Sequence, residues 1–511
     1  MENIRFKKMI DKANCSTVII GKNASATGKV LMGHNEDDTD AIVQLHVVPR
    51  VKYKPGDVIT FADGKAVIPQ PEESYAYYWS EVRCPGGISF ADCAVNEYGV
   101  ALVTNACGPS KDDKQKPGEI AFTNNTEDYG LGYAIRRLVP ERAKTAREAV
   151  QVIAELVEKY GYISARSYQV ADKDEAWAVQ IPKGFNVAAR RIGDDEVYYM
   201  SNWFTIHEID FEDKENYYAS PNLVQHAIDR GWYTPAVEGD WSDFDFAKAY
   251  QYADMMWNPP RSRTAWKLLT GVDLPADGLK PFTMKATKKY TVADVKRVIT
   301  SHNEGLVDDL SDNCAIHPHR YPTSTICNES TIESSVIEFN EDINLTRVLR
   351  AFPKGCLMPY VPFYPVAMTK APEGYEWMNW QAAQVSHFFV DDEEFEYDPA
   401  KAWWAFRTVQ FLTEFDYKNT APDVRMAKAE LEAKWEQEKE AVEKAYAAMK
   451  ATGEIQAKKV LADTTDRYAK EAWKWANKMI RTIGEAKIRQ NVNVWVEKVG
   501  VPDSLFEYYV E

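Results

Sequence analysis

Short apolar runs of strand length dominate the first 110 residues: "STVIIG" (16–21), "GKVLMG" (28–33), "IVQLHVVPRV" (42–51), "ISFADCAV" (88–95) and "VALVTNA" (100–106). The last two flank "NEYG" (96–99), a hairpin-like turn in which Gly99 supplies a positive φ. The period then lengthens. Thr145 and Glu148 form a Thr-x-x-Glu capping box ahead of "AVQVIAELVEKYG", and Gly161 falls where a helix C-cap belongs. Strand-like runs return at "RSYQVAD" (166–172), "EAWAVQI" (175–181) and "EVYYMSNW" (196–203). Further on, the spacing predicts a helix over 292–305 behind Thr291 and Asp294, and a strand pair around "STICNEST" and "ESSVIEFN".

The last 110 residues change character. Val424, Leu431, Trp435, Val442, Tyr446 and Met449 make one helical stripe. Leu461, Tyr468, Ala472, Trp475, Met479 and Ile483 make a second after a break at Gly453, which predicts an antiparallel helical hairpin packed on the main body. Strands, then helices, then strands fit an α+β fold of antiparallel sheets layered with helices better than a doubly wound parallel one. Neither a Gly-x-Gly-x-x-Gly nor a Walker sequence is present, so no nucleotide loop is expected.

Composition narrows this picture. At 511 residues the chain suits one large elaborated domain or two. The net charge of −16 argues against nucleic acid or an anionic membrane as the main partner. No run approaches the roughly 20 apolar residues of a membrane span, and residues 1–14 lack the apolar core of a secretory signal. Seven irregularly spaced cysteines without a CxxC pair suggest free thiols in a reducing, cytoplasmic setting and give no support for a zinc ribbon. Aromatics at 12% imply thick packing layers or an aromatic-lined cleft, and "YAYYW" (75–79) suits either.

Cys15 opens the first apolar run, and "HNEDD" (34–38) closes the second. A thiol attacks as thiolate and needs a base or a pKa-lowering neighbour. An N-terminal cysteine carries its own base, since an α-amine titrates near about 7.7–8.0 and a free thiol near about 8.5. A turn at "GKNASATGK" would return the second strand beside the first and deliver His34, Asn35, Glu36 and Asp37 to the Cys15 edge. Asp37 would then hold a charged amine, and Asn35 would orient it. The competing reading is a small buried thiol beside a solvated polar loop.

The motifs "CSTVIIGKNAS…NED", "NEYGVAL", "SYQVADKDEAWAVQI", "SNWFTIHEID" and "STICNESTIESSVIEF", in this order, resemble the bacterial thiol dipeptidases of the N-terminal nucleophile (Ntn) hydrolases. These are relatives of the secernins and of penicillin V and bile-salt acylases. The resemblance spans nearly the whole chain. It implies an αββα sandwich of two antiparallel sheets between helical layers, with residues 1–14 as a leader, 15–400 as catalytic domain and 401–511 as a helical extension. It further implies that autoproteolysis of the Asn14–Cys15 bond exposes Cys15 as nucleophile, with Asp37 binding the new α-amine. Asn202 in "MSNW" supports the oxyanion or substrate, Asn105 in "VTNA" matches a second oxyanion asparagine, and Arg263, ahead of Arg261, matches a buried arginine beside the thiol. The expected chemistry is acyl transfer on small peptides without metal or organic cofactor, in a homo-oligomer. One departure stands out: His34 occupies a position commonly filled by arginine, so a charge titrating near about 6.5 is expected beside the thiol.

Three rival readings remain. "SHNEGLVDDLSDNCAIHPHR" gathers His302, Glu304, Asp308, Asp309, Asp312, His317 and His319, as a metal hydrolase would, but without His-Glu-x-x-His spacing a polar loop is the better account. An acylase on non-peptide amides is the nearest enzymatic alternative. A retired hydrolase fold serving as an interaction protein is the non-enzymatic one.

Overall fold

The strands alternate buried side chains between two faces, and each face finds a partner. Strands β1 (Ser16–Ile20), β2 (Leu31–Asp37), β3 (Ile42–Val48), β4 (Tyr77–Arg83), β5 (Cys93–Asn96) and β6 (Ala101–Ala106) come first. After helix α1 (Ala146–Tyr160) follow β7 (Tyr162–Ala171), β8 (Ala176–Gly184), β9 (Ala188–Ile192), β10 (Glu196–Met200) and β11 (Tyr217–Ala219). Helix α2 (Pro260–Thr270), β12 (Thr283–Lys285) and helix α3 (Val292–Ile299) precede β13 (Thr331–Glu338), β14 (Arg347–Ala351) and β15 (Val361–Phe363). Helices α4 (Ala402–Phe415), α5 (Tyr417–Lys450) and α6 (Glu454–Val499) complete the chain's long elements. The computed structural model describes residues 15–38, 41–60, 65–85, 93–112, 130–133, 135–252, 258–305, 309, 317–320 and 325–499. The predicted leader, Asn14, most of the 88–95 strand, Asp308 and Asp312 lie outside the described residues.

Two large antiparallel sheets result. The first runs β12-β10-β1-β2-β13-β14-β15, and the second β11-β9-β8-β7-β6-β5-β4-β3. They pack face to face. Tyr78 on β4 meets Phe363 on β15, and the Ser80 hydroxyl on β4 donates to Glu333 on β13 at 2.6 Å. Helix α1 covers the outer face of the second sheet through Val150, Ile153 and Val157, against Val170, Trp177 and Val179. Helix α3 lies on the outer face of the first sheet. A Cβ on Gly33 would sit 2.4 Å from Val295 Cγ1, so glycine is what lets β2 and α3 approach.

The α+β expectation holds, as does most of the local reading. Gly99 turns with φ 79°, and β5 pairs with β6. Thr145 caps α1 by accepting from Glu148 N, although the Glu148 carboxylate reaches Lys144 N instead of closing the box. Thr291 and Asp294 do form a reciprocal box on α3. That helix stops at Ile299, short of the expected 305: Asn35 takes the Ile299 carbonyl, Thr300 is the C-cap, and beyond it Asn303 (φ 69°) and Gly305 (φ 78°) are left-handed. Of the strand pair expected around "STICNEST" and "ESSVIEFN", the described residues form one strand, β13. Ahead of it residues 328–330 form a turn, in which Asn328 Oδ1 accepts from Ser330 N and Thr331 Oγ1 from Asn328 N. "YAYYW" is packing: Tyr78 enters the inter-sheet core, while Tyr77 and Trp79 pack with Val48 and Ala94 on the other face.

Both C-terminal stripes are helical, joined at Gly453. Trp435 on α5 stacks near Tyr468 on α6, and Tyr446 clusters with Ala457 and Leu461, which fixes an antiparallel hairpin. The Tyr375 hydroxyl donates to Ala469 O, and Tyr364 N to Thr465, docking α6 on the first sheet's flank. Among the described residues, no helix is long and apolar enough to cross a membrane.

Candidate active site

Register brings the predicted residues together at one end of the sheet interface. β1 pairs with β2 as Ser16↔Asn35 and Thr17↔His34, and with β10 as Thr17↔Met200. Extending both registers by one residue sets Cys15 between Glu36 and the Asn202 turn. Period-two alternation then puts Cys15, Thr17, His34 and Glu36 on the face toward the second sheet. Thr17 Oγ1 proves the direction by donating across the interface to Asn105 Oδ1 on β6 at 2.7 Å.

Cys15 is fully buried, with Sγ 3.9 Å from Glu36 Oε1 and 3.8 Å from the Asp37 carbonyl oxygen. Burial pushes its thiol pKa well up, and the Glu36 and Asp37 charges push it further; Arg166 opposes them. Asp37 is also buried, and burial raises its carboxyl to about 6 against hydrogen bonds from Thr331 and Asn328 and the charges of Arg261 and Lys354. Asn328 Nδ2 donates to Asp37 Oδ2 at 2.6 Å, while Asp37 Oδ1 is buried without a hydrogen-bond partner among the described residues.

His34 lies 2.9 Å from Thr17 Oγ1 through Nδ1 and 3.3 Å from Glu36 Oε2 through Nε2. It is not the cation expected from sequence: burial lowers its pKa to about 3 and keeps the ring neutral. The positive charge facing Cys15 comes from Arg166 on β7, which donates to Thr104 and lies over the Tyr133 ring. Asn35 points to the opposite face and is fully engaged, donating to Ile299 O and Ile326 O and accepting from Ser334. It ties β2 to the end of α3.

Asn202 Nδ2 donates to Ala106 O at 2.6 Å, and Asn202 Oδ1 accepts from Arg261 Nη2 at 2.7 Å. Of the two arginines on α2, the structure thus joins Arg261 to Asn202 and Asp37. Arg263 is half-buried with its Nε unpartnered, and no hydrogen bond or ion pair links it to the cluster among the described residues. Asn105 Nδ2 is buried without a hydrogen-bond partner among the described residues. Arg166 and Lys354 had no signal of their own in the sequence, and Asn328 stood in the "STICNESTIESSVIEF" motif without an assigned role; only the fold brings them here.

The proposed metal-hydrolase residues divide. Asp309 accepts from Gly305 N at the exposed rim, and Glu304 caps the turn at Ser301 and His302 N. His302 and His319 are buried.

Two facing antiparallel sheets, with a buried thiol, carboxylates and amides at one end of their interface, define the class as a layered α+β protein built around one polar end. The chain belongs to peptidase family C69, whose profile matches residues 14–430. It is 26% identical over 448 residues to the "Probable dipeptidase" of Latilactobacillus sakei, covering 82% of this chain and 91% of that one. It is 26% identical over 421 residues to "Probable dipeptidase B" of Lactococcus lactis subsp. lactis (strain IL1403), covering 80% and 82%. With the "Probable dipeptidase" of Salmonella dublin it shares 25% over 366 residues, 68% of this chain and 80% of the relative.

Proposed function

We propose that the chain is a cysteine-dependent dipeptidase of the N-terminal nucleophile type, its layering that superfamily's αββα sandwich and residues 1–14 a leader removed by cleavage of Asn14–Cys15. The observation that carries this reading is Asp37 Oδ1. A buried carboxylate oxygen without a partner costs about 1–3 kcal/mol, and this one belongs to the residue whose carbonyl oxygen lies 3.8 Å from Cys15 Sγ. An α-ammonium on Cys15 completes it. The names of the relatives and the family match beginning at residue 14 support the same reading.

In processing, Cys15 Sγ attacks the Asn14 carbonyl, the Cys15 nitrogen leaves as the new amine, and water hydrolyses the resulting thioester. The amine changes the electrostatics of the thiol. Beforehand the thiol faces burial and two carboxylates, which hold its pKa up; afterwards the free amine takes the thiol's proton, and the ammonium so formed pairs with the Asp37 carboxylate and stands beside the thiolate. Sγ then attacks the peptide carbonyl of a dipeptide. Asn105 Nδ2, and the Asn202 Nδ2 hydrogen left over from its bond to Ala106 O, are the donors for the oxyanion, a contribution of about 3–4 kcal/mol for such a group. Arg261 positions Asn202, and Arg166 counters the carboxylates. The C–N bond breaks, the amine's proton goes to the departing amino acid, and water releases the second from the thioester.

Intact mass with N-terminal sequencing tests this directly. The mature chain is expected to start at Cys15, Cys15→Ala to remain uncleaved and inactive, and Asn105→Ala to lose about 10²–10³-fold in kcat while folding normally. A panel of free dipeptides against N-acylated ones checks the substrate. Activity surviving in an uncleaved Cys15→Ala chain would overturn the mechanism.

A further inference from the structure

Away from Cys15, four side chains from separate parts of the sequence meet in the interior. His302 follows α3, His319 sits in the single turn Pro318–Arg320, Cys327 precedes β13 and Cys356 follows β14. All four are buried, and their donor atoms lie within 4.8 Å of one another. His302 Nε2 is 3.1 Å from His319 Nε2, His319 Nε2 is 3.1 Å from Cys356 Sγ, and Cys356 Sγ is 3.5 Å from Cys327 Sγ. Around a tetrahedral zinc the corresponding edges are about 3.3, about 3.6 and about 3.8 Å, so each contact is within about half an ångström of a ligand edge.

The geometry points to a structural Zn²⁺ site with Cys327, Cys356, His302 and His319 as its four ligands. The surrounding shell is what such a site requires. Glu414 on α4 stands 2.7 Å from His319 Nδ1 and is itself held by Gln410. A carboxylate there takes the Nδ1 hydrogen and leaves the Nε2 lone pair aimed at the cluster. Two thiolates and two imidazoles are a donor set that suits zinc. With all four positions filled by protein, no coordination site remains for substrate, which marks the ion as structural. A cavity of about 530 Å³ reaches His319 and Glu414 and offers a way in. Binding exchanges the two thiol protons, released to solvent, for the metal–sulfur bonds.

The site has a reason to exist. Cys327 adjoins Asn328, which donates to Asp37, and Lys354, two residues before Cys356, donates to the carbonyls of Asn328, Glu329 and Thr331. The ion would brace the turn that presents Asn328, and through Glu414 it would tie that turn to the C-terminal helices.

Metal content of the full-length chain, with thiol titration and peptide mapping, tests the assignment. The expected result is about one zinc per chain, retained in Cys15→Ala and lost in Cys327→Ser. Glu414→Gln keeps every ligand and is expected to weaken zinc by about 10–100-fold in chelator competition. Cobalt-loaded protein should show the thiolate charge-transfer and tetrahedral ligand-field bands, absent from Cys327→Ser. A chain that takes up no stoichiometric zinc or cobalt, a Cys327–Cys356 disulfide in the mapped peptides, or equal zinc affinity in Glu414→Gln and the parent would each overturn it.

Discussion

His34 and Asp37 sit three residues apart on β2, and burial moves their titrations in opposite directions. His34 has its folded pKa depressed to about 3, so the stability of its neutral form is complete above the unfolded value of 6.5 and is lost as pH falls. Asp37 has its folded pKa raised from 3.8 to about 6, so its ionised form is a burden that acid relieves. At about pH 5 the histidine costs roughly 2 kcal/mol and the aspartate returns roughly 1.4 kcal/mol relative to about pH 7. Replacing the ring should therefore reverse the balance. Denaturant unfolding of uncleaved Cys15→Ala with and without His34→Gln should show the parent losing roughly 2 kcal/mol more between those two pH values; parallel profiles would refute the assignment. At this scale the sequence was partly readable. Cys15, Asp37, Asn105 and Asn202 stand in recognisable motifs. The sequence offered Arg261 only behind Arg263 and did not single out Arg166, because a cation's partner depends on which elements meet.

Period and caps carried most of the information about elements. The Thr291 box, the Gly99 turn and the two C-terminal stripes are local features, set within a few residues, and the structure keeps them. What failed were boundaries governed by distant contacts: α3 stops where Asn35 engages Ile299 O, and a turn at 328–330, where Asn328 reaches Asp37, stands in place of the first expected strand. The hairpin makes a quantitative statement possible. Trp435 is 1% exposed, packs on Tyr468 and donates Nε1–H to Glu471 at 2.8 Å. Trp435→Ala should cost about 3–5 kcal/mol in denaturant unfolding, the range for a fully buried large aromatic. A loss under about 1 kcal/mol would mean that the α5–α6 contact does not share in the cooperative fold.

The whole molecule depends on charges that no segment could announce. Glu333 accepts from Ser80 on the facing sheet and from Arg350 Nε at 2.8 Å on its own, while Arg350 Nη1 and Nη2 have no partners among the described residues. Removing the carboxylate strands a buried guanidinium. Glu333→Ala is expected to lose about 3–5 kcal/mol, and the double variant Glu333→Ala/Arg350→Met to recover most of it; an additive double variant would refute the coupling. The Cys/His cluster was illegible for a related reason. Its ligands span residues 302–356 without CxxC spacing, so its two histidines stood among loop carboxylates and its two cysteines looked like ordinary core thiols.

The Thr17–Asn105 and Ser80–Glu333 bonds cross between the two sheets inside their shared core. Sliding one sheet past the other would break both at once in a buried interior, where each lost partner costs about 1–3 kcal/mol. Shear is therefore a costly mode of motion for this molecule. Opening at the polar end of the interface costs less through the segments around it than through relative movement of the two sheets.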